Sequence, residues 1–221
     1  MKKHTNLAAY PWLLALLLPA CSTVEVQEPQ NALAALEPGE AVTVVLNSYF
    51  GSDETYSAED SISKCVTKAV HKANPLVKVI PPDEFRRVAF PDLELNEMPH
   101  SVESFKLLLD NPSFLDRIAP MGLRYLVIAG STNNEVSRRE CLPPFLCGHG
   151  WYKSSRLAGI ILDVKQARTL PAELSATASG KSWFYLIVIL PLGFRADPGS
   201  AACDGFGKAV AKAIVSGGAK P

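Results

Sequence analysis

Apolar positions change their spacing several times along the chain, and each change marks an element. Residues 41–47 (Ala-Val-Thr-Val-Val-Leu-Asn) are apolar and β-branched, which predicts a first strand. A polar loop follows over 48–57. Ile62, Cys65, Val66, Ala69 and Ala73 then recur at helical spacing, so 58–73 reads as a helix with one apolar stripe, ended by Asn74-Pro75. Residues 76–80 give a short second strand. Pro82 at a first helical position, with Asp83 and Glu84 against the helix dipole, opens a helix that runs to Val88. Val102, Phe105, Leu108 and Leu109 stripe another helix over 101–110. Asn111 caps a third short helix, which begins at Pro112 and stops at Gly122.

The second half of the chain switches to strands. Residues 123–130 (Leu-Arg-Tyr-Leu-Val-Ile-Ala-Gly) read as a central strand, and 156–164 as another. Over 169–178, Leu170, Ala172, Leu174, Ala176 and Ala178 alternate with more polar neighbours, the mark of a strand with one buried face; 165–168 is the turn before it. The apolar run 182–192, with Trp183, Phe184 and Tyr185, reads as a buried strand. A membrane-inserting hairpin is the weaker reading, because the run offers one pass and contains Pro191. Cys203, Phe206, Val210 and Ile214 line one face of a last helix over 201–215, stopped by Gly217-Gly218. This order predicts an α+β (mixed α/β) domain over 41–217: a single sheet with flanking helices and a largely antiparallel second half.

The N-terminus has a different pattern. Lys2, Lys3 and His4 precede an apolar run over 7–18 that is too short to span a bilayer comfortably. It ends in Leu18-Pro19-Ala20-Cys21, which resembles the lipobox of bacterial lipoproteins, with Pro19 where Ala or Ser is more usual. The resemblance implies a signal peptide over 1–20, cleavage before Cys21 and acylation of Cys21. Several acyl chains hold a protein where one cannot, at about 0.8 kcal/mol per buried methylene. By resemblance to the sorting rule of enterobacterial lipoproteins, Ser22 rather than Asp after the cysteine implies the inner leaflet of the outer membrane, facing the periplasm. Residues 21–40, polar and broken by Pro29, Pro38 and Gly39, then read as a flexible tether between lipid and domain.

Charge and cysteines narrow the picture further. The 221 residues carry 22 basic and 22 acidic side chains, a balance that argues against a nucleic-acid partner. Beyond Cys21, the cysteines Cys65, Cys141, Cys147 and Cys203 form an even set in an exported protein, where disulfides persist. Cys141 with Cys147, bracketing Leu-Pro-Pro-Phe-Leu, and Cys65 with Cys203, on two apolar helix faces, is the favoured pairing. Four cysteines allow three pairings, and spacing alone does not choose. A metal site from Cys141, Cys147 and His149 is the weaker reading, since zinc wants a fourth ligand and none is spaced nearby.

The strands at 42–46, 76–80, 122–130 and 156–164, the last ending at Asp163, make the domain resemble the fold of the TolB amino-terminal domain. The curli-secretion lipoprotein and the lipoprotein activator of penicillin-binding proteins share that fold. The Thr-Gly turn usual after the aspartate is replaced here by Gln166-Ala167-Arg168-Thr169. The resemblance implies an envelope lipoprotein that binds other proteins, and fold does not transfer the partner.

Catalytic patterns are weak. His71, His100 and His149 sit in separate segments outside metal-binding spacings. No serine lies in Gly-x-Ser-x-Gly. Asp204-Gly205-Phe206-Gly207-Lys208 lacks the spacing of a phosphate loop and falls inside the last helix, where small residues serve packing. No catalytic residue, metal or cofactor is expected. The long connection 137–151, stiffened by Pro143 and Pro144, is the expected binding surface, with Arg138, Arg139, Phe145, His149 and Trp151 as its candidates. The expected role is a non-enzymatic, lipid-anchored envelope protein that binds a protein or an envelope polymer. The alternative is an oligomeric subunit of an outer-membrane secretion or transport assembly.

Overall fold

The structure is a computed structural model that describes residues 22–29, 33–46, 54–93, 97–99, 101–142, 146–166, 172–187, 190–194 and 196–215. Side chains at 54–59, 140, 142, 146, 183–187 and 190–194 fall outside that description. Among the described residues the strands are β1 (Thr23–Gln27), β2 (Ala41–Leu46), β3 (Lys78–Ile80), β4 (Leu123–Leu142), β5 (Leu146–Asp163), β6 (Ala172–Ile187) and β7 (Leu190–Phe194). The helices are α1 (Glu54–Ala73), α2 (Pro82–Ala89), α3 (Val102–Leu109), α4 (Pro112–Ile118) and α5 (Pro198–Val215).

The strands make one mixed sheet. Six follow the order β1-β6-β5-β4-β2-β3, and β7 shares with β1 the outer edge of β6. β2 runs parallel to both β3 and β4, with α1 and then α2–α4 as the crossovers. Helices cover both faces of β2, so Ala41 to Val45 are all buried, and the one polar side chain among them, Thr43, donates its hydroxyl to the Ile80 carbonyl. The remaining pairings are antiparallel. The fold is therefore the mixed α/β single sheet that the sequence predicts, with an antiparallel second half.

Two cores lie on the two faces of the sheet. On one side Val66 and Val70 of α1 and Phe206, Val210 and Ile214 of α5 pack against Val44, Tyr125, Val127 and Leu157. On the other, Phe85, Phe90, Phe105, Phe114 and Ile118 pack against Val45, Leu126, Ile128 and Leu162. Local signals agree: the Ser101 side chain accepts from the Ser104 N–H at 3.1 Å, Asn111 caps α4, and Gly122 takes φ +67° after it. Gly207 is needed where α5 meets α1, because a Cβ there would lie 2.9 Å from the Cys65 carbonyl oxygen. The Asp204–Lys208 glycines thus serve helix packing.

Several boundaries differ from the sequence reading, each because a strand found a partner the local pattern did not contain. The stretch 21–40 is not wholly a tether: Thr23–Gln27 pairs with β6, Leu33 is buried, and Tyr125 donates from its hydroxyl to the Ala34 carbonyl. The strands expected over 123–130 and 156–164 are the inner halves of β4 and β5, which continue outward as a hairpin. The strand expected at 169–178 begins at Ala172; residues 169–171 lie outside the described set. The run 182–192 is not one buried strand but the end of β6 and most of β7, paired to each other through Trp183 and Phe194, with 188–189 outside the described residues.

Candidate functional site

The expected binding loop over 137–151 is not a loop. Residues 137–142 belong to β4 and 146–151 to β5, paired through Leu142 and Leu146, so the prolines occupy only the connection at 143–145. β2 ends opposite Ala129, so β4 runs beyond the body with β5 on one edge alone. At about 3.4 Å per residue, this outer part of β4 reaches roughly 40 Å. Every residue from 132 to 139 is exposed, and neither side of this segment is apolar. We call this outer part of the β4–β5 hairpin the arm.

A disulfide closes the arm. Cys141 and Cys147 are directly opposed, with Cα atoms 4.0 Å apart. The other disulfide, Cys65–Cys203, joins α1 to α5 in the body, with Cα atoms 5.9 Å apart. Both sulfurs beside His149 are therefore consumed, which removes the thiolates a Cys141–Cys147–His149 metal site would need.

Strand alternation divides the remaining candidates between two sides. Arg139 is directly opposite His149, and Trp151 follows on the same side of β5, the side on which α1 and α5 pack. The His149 and Trp151 rings lie 5.9 Å apart. Arg138 points to the other side, which α2–α4 share, and lies 5.9 Å from the centre of the Tyr152 ring. Phe145 and the expected lipidation site Cys21 lie outside the described residues.

The residues missed at the sequence level are Tyr152 and Lys181. Tyr152 is 41% exposed, and the Lys181 ammonium sits 5.1 Å from its ring centre. Val136, paired with Tyr152, is 49% exposed beside it. Together with Thr23, Asn134 and Ser179 they line a shallow groove of about 420 Å³ with no carboxylate in its lining. A signal was available: if Cys141 opposes Cys147, the register follows and places Val136 opposite Tyr152.

Arg124, Glu40 and Asp163 in the body form a contrasting, buried set. Arg124 donates to Asp163 at 2.7 Å and lies 3.7 Å from Glu40, which also pairs with Lys165. Burial pushes the Glu40 carboxyl up. Hydrogen bonds from Lys165 and the Glu37 N–H, with the charges of Lys165 and Arg124, outweigh that and hold it below the ordinary glutamate value. Asp163 accepts from the Lys165 and Gln166 amides, so the residue expected at a turn also anchors this cluster.

No family model matches the sequence, and no curated protein matches it. Solved structures similar to it include the PelC dodecamer from Paraburkholderia phytofirmans. That likeness has 12% identity and a TM-score of 0.41, and covers 88% of this chain and 99% of that one. A putative neuraminyllactose-binding hemagglutinin homolog from Helicobacter pylori is 8% identical with a TM-score of 0.39, covering 88% of this chain and 93% of that one. Lipoprotein GNA1162 from Neisseria meningitidis is 12% identical with a TM-score of 0.31, covering 73% and 89%. With TM-scores below 0.5, these likenesses assign neither a family nor a role to this chain.

Proposed function

We propose that the protein is a lipid-anchored component of the cell envelope that acts by binding rather than catalysis. Its partner, a protein or an envelope polymer, is engaged through the β4–β5 arm. The observation that carries this reading is the arm itself. Its outer strand is exposed on both sides, contributes nothing to either core, and is closed by its own disulfide. An outer strand carried this far beyond the core, on a sheet that continues from β5 through β6, needs a reason outside folding. Arg139, His149 and Trp151 put a guanidinium, an imidazole and an indole on one side, suited to acidic or ring-shaped groups. The anchor at Cys21 would hold this surface at the inner leaflet of the outer membrane.

In-cell photocrosslinking tests the arm. Probes at Arg139 and His149 should capture one dominant envelope partner. A probe at Leu76, 89% exposed on the body, should not. Capture that does not depend on probe position would remove the arm from the reading.

One feature of the sheet favours the second reading, an oligomeric secretion or transport subunit. The outer edge of β4 beyond Ala129 has no strand partner among the described residues, and β7 lies at the opposite side of the same sheet. Two open edges of this kind permit head-to-tail pairing of copies into a ring. Against a bilayer-spanning barrel, charges occupy both sides of the arm, with Arg138 on one and Glu135 and Arg139 on the other. A monomer by light scattering of the unacylated chain would exclude self-assembly through these edges.

A further inference from the structure

We infer that the uncovered face of the sheet beside α3 is a site for a short peptide with free ends, which sets its carboxylate on Arg156 and its ammonium on Glu173. The register builds this surface in rows on the side where α2–α4 pack. Ile128 opposes Ile160, which in turn opposes Glu173. The next row is Gly130, Ala158 and Ser175, and Arg156 stands in the row after it. The helices cover this side only toward β2 and β3. Among the described residues β1 and β6 give no side chain to the core beneath α2–α4. What is left is a trough of about 420 Å³, whose lining includes Val102 at the start of α3. Its middle row is low because Gly130, Ala158 and Ser175 are small, so an occupant can come close to the sheet.

Two opposite charges stand at separate ends of the trough, and nothing described in the chain neutralises them. Arg156 and Glu173 are exposed, both line the trough, and neither forms an ion pair with a described residue. Glu25, two strands from Arg156 in the same row, does not pair with it either. Arg156 lies four residues before Ile160, the residue opposite Glu173, so the two Cα positions are about 14 Å apart along the sheet. An extended chain advances about 3.4 Å per residue, so three or four residues fit between the charges with a hydrogen bond at each end. A guanidinium takes a carboxylate through two parallel hydrogen bonds, and a carboxylate takes an ammonium. Buried Ser175 lies between them. Its hydroxyl donates to the Gln27 side chain at 3.4 Å, which leaves its lone pairs for a peptide N–H. Ile128, Ile160 and Val102 lie at the Glu173 end, so the residue that carries the ammonium is apolar. A polymer of one charge would meet a repelling group at one end, whereas a peptide with free ends meets none. The inference rests on neither the arm nor the anchor.

The test titrates the peptide Leu-Ala-Ala-Ala into the full chain in detergent and follows the heat of binding. The same peptide is then used with its amine acetylated or its carboxyl amidated. The free peptide should bind saturably, and either block should weaken binding about tenfold, near the contribution of one charge-assisted hydrogen bond. Glu173→Gln should weaken the free peptide by the same factor and leave the acetylated one unchanged. Arg156→Gln should do the same for the free and amidated peptides. This matching of one ligand end to one side chain is a signature that general damage to the sheet would not give. Both positions are exposed, so the thermal melts of the variants should match the parent's. Absence of saturable binding, blocked peptides that bind as tightly as the free one, or variants that weaken free and blocked peptides alike would overturn the site.

Discussion

β4 and β5 each belong to two regions with opposite physics. From Leu123 to Ala129, β4 is packed between the two helical layers, and every residue is buried, Arg124 being the one charged side chain among them. From Thr132 to Arg139 the same strand is exposed at every position. The backbone ladder to β5 continues without a break across the boundary. Hydrogen bonding alone therefore does not decide which part is core. Coverage by helices decides it, and the sequence adjusts: apolar on both sides where both sides are covered, polar on both where the outer strand is bare. The body is held by packing and by buried charges, and the arm by its ladder, by the pairing of β5 with β6 and by its disulfide.

The largest expected difference is between the two disulfides. Cys65–Cys203 closes a sequence separation of 138, and Cys141–Cys147 closes one of 6. On chain entropy, these loops stabilise by about 5 and about 2 kcal/mol respectively. Replacing Cys65 and Cys203 by serine should lower the whole unfolding curve in urea. Replacing Cys141 and Cys147 should cost less and show mainly as faster amide exchange near the arm's tip. A global destabilisation as large from the second pair would mean that the arm is part of the cooperative unit, and the division would fail.

Charges sharpen the same contrast. Arg124→Met leaves Asp163 and Glu40 buried without their shared cation, and should cost about 3 kcal/mol by denaturant unfolding. The cluster also sets an acid limit. Glu40 has a folded pKa below the ordinary value of 4.5, so its contribution is present above that pH and is lost as pH falls through the folded value. Unfolding free energy should therefore decline on acidification below about pH 4.5, and Glu40→Gln should flatten that decline. An unchanged acid limb in Glu40→Gln would place the acid sensitivity elsewhere.

How much was legible follows from the same distinction. Elements whose signal is local were read closely. Asn111-Pro112 opened α4, Gly122 ended the turn after it, and the stripe Cys203, Phe206, Val210 and Ile214 gave α5 its buried face. What the sequence concealed depended on distant partners. β1 is a five-residue strand, exposed at every position, that exists because β6 offers it an edge. The arm has no apolar alternation to announce a strand, since its ladder is satisfied by β5 while its outer strand meets water. Prolines at 143 and 144 made a long loop the natural reading, although they occupy only the connection. The candidate residues are neighbours in sequence, but their separation onto two sides needed the register.

The smallest effect is also the sharpest test of the arm. Lys153 and Glu135 form its described cross-strand ion pair at 2.9 Å, with 29% and 49% of their side chains exposed. Water and salt screen such a pair, so it should contribute at most about 0.5 kcal/mol. Glu135→Gln and Lys153→Gln, alone and together, form a double-mutant cycle that isolates their coupling. The coupling should fade in molar salt, whereas the Arg124→Met penalty should largely survive it, because buried charges are screened less. If the Lys153–Glu135 coupling approached the Arg124 penalty and resisted salt, the arm would not be bare. Some other surface, from this chain or a partner, would then cover it, and the reading of the arm as an open binding element would have to yield to that covering.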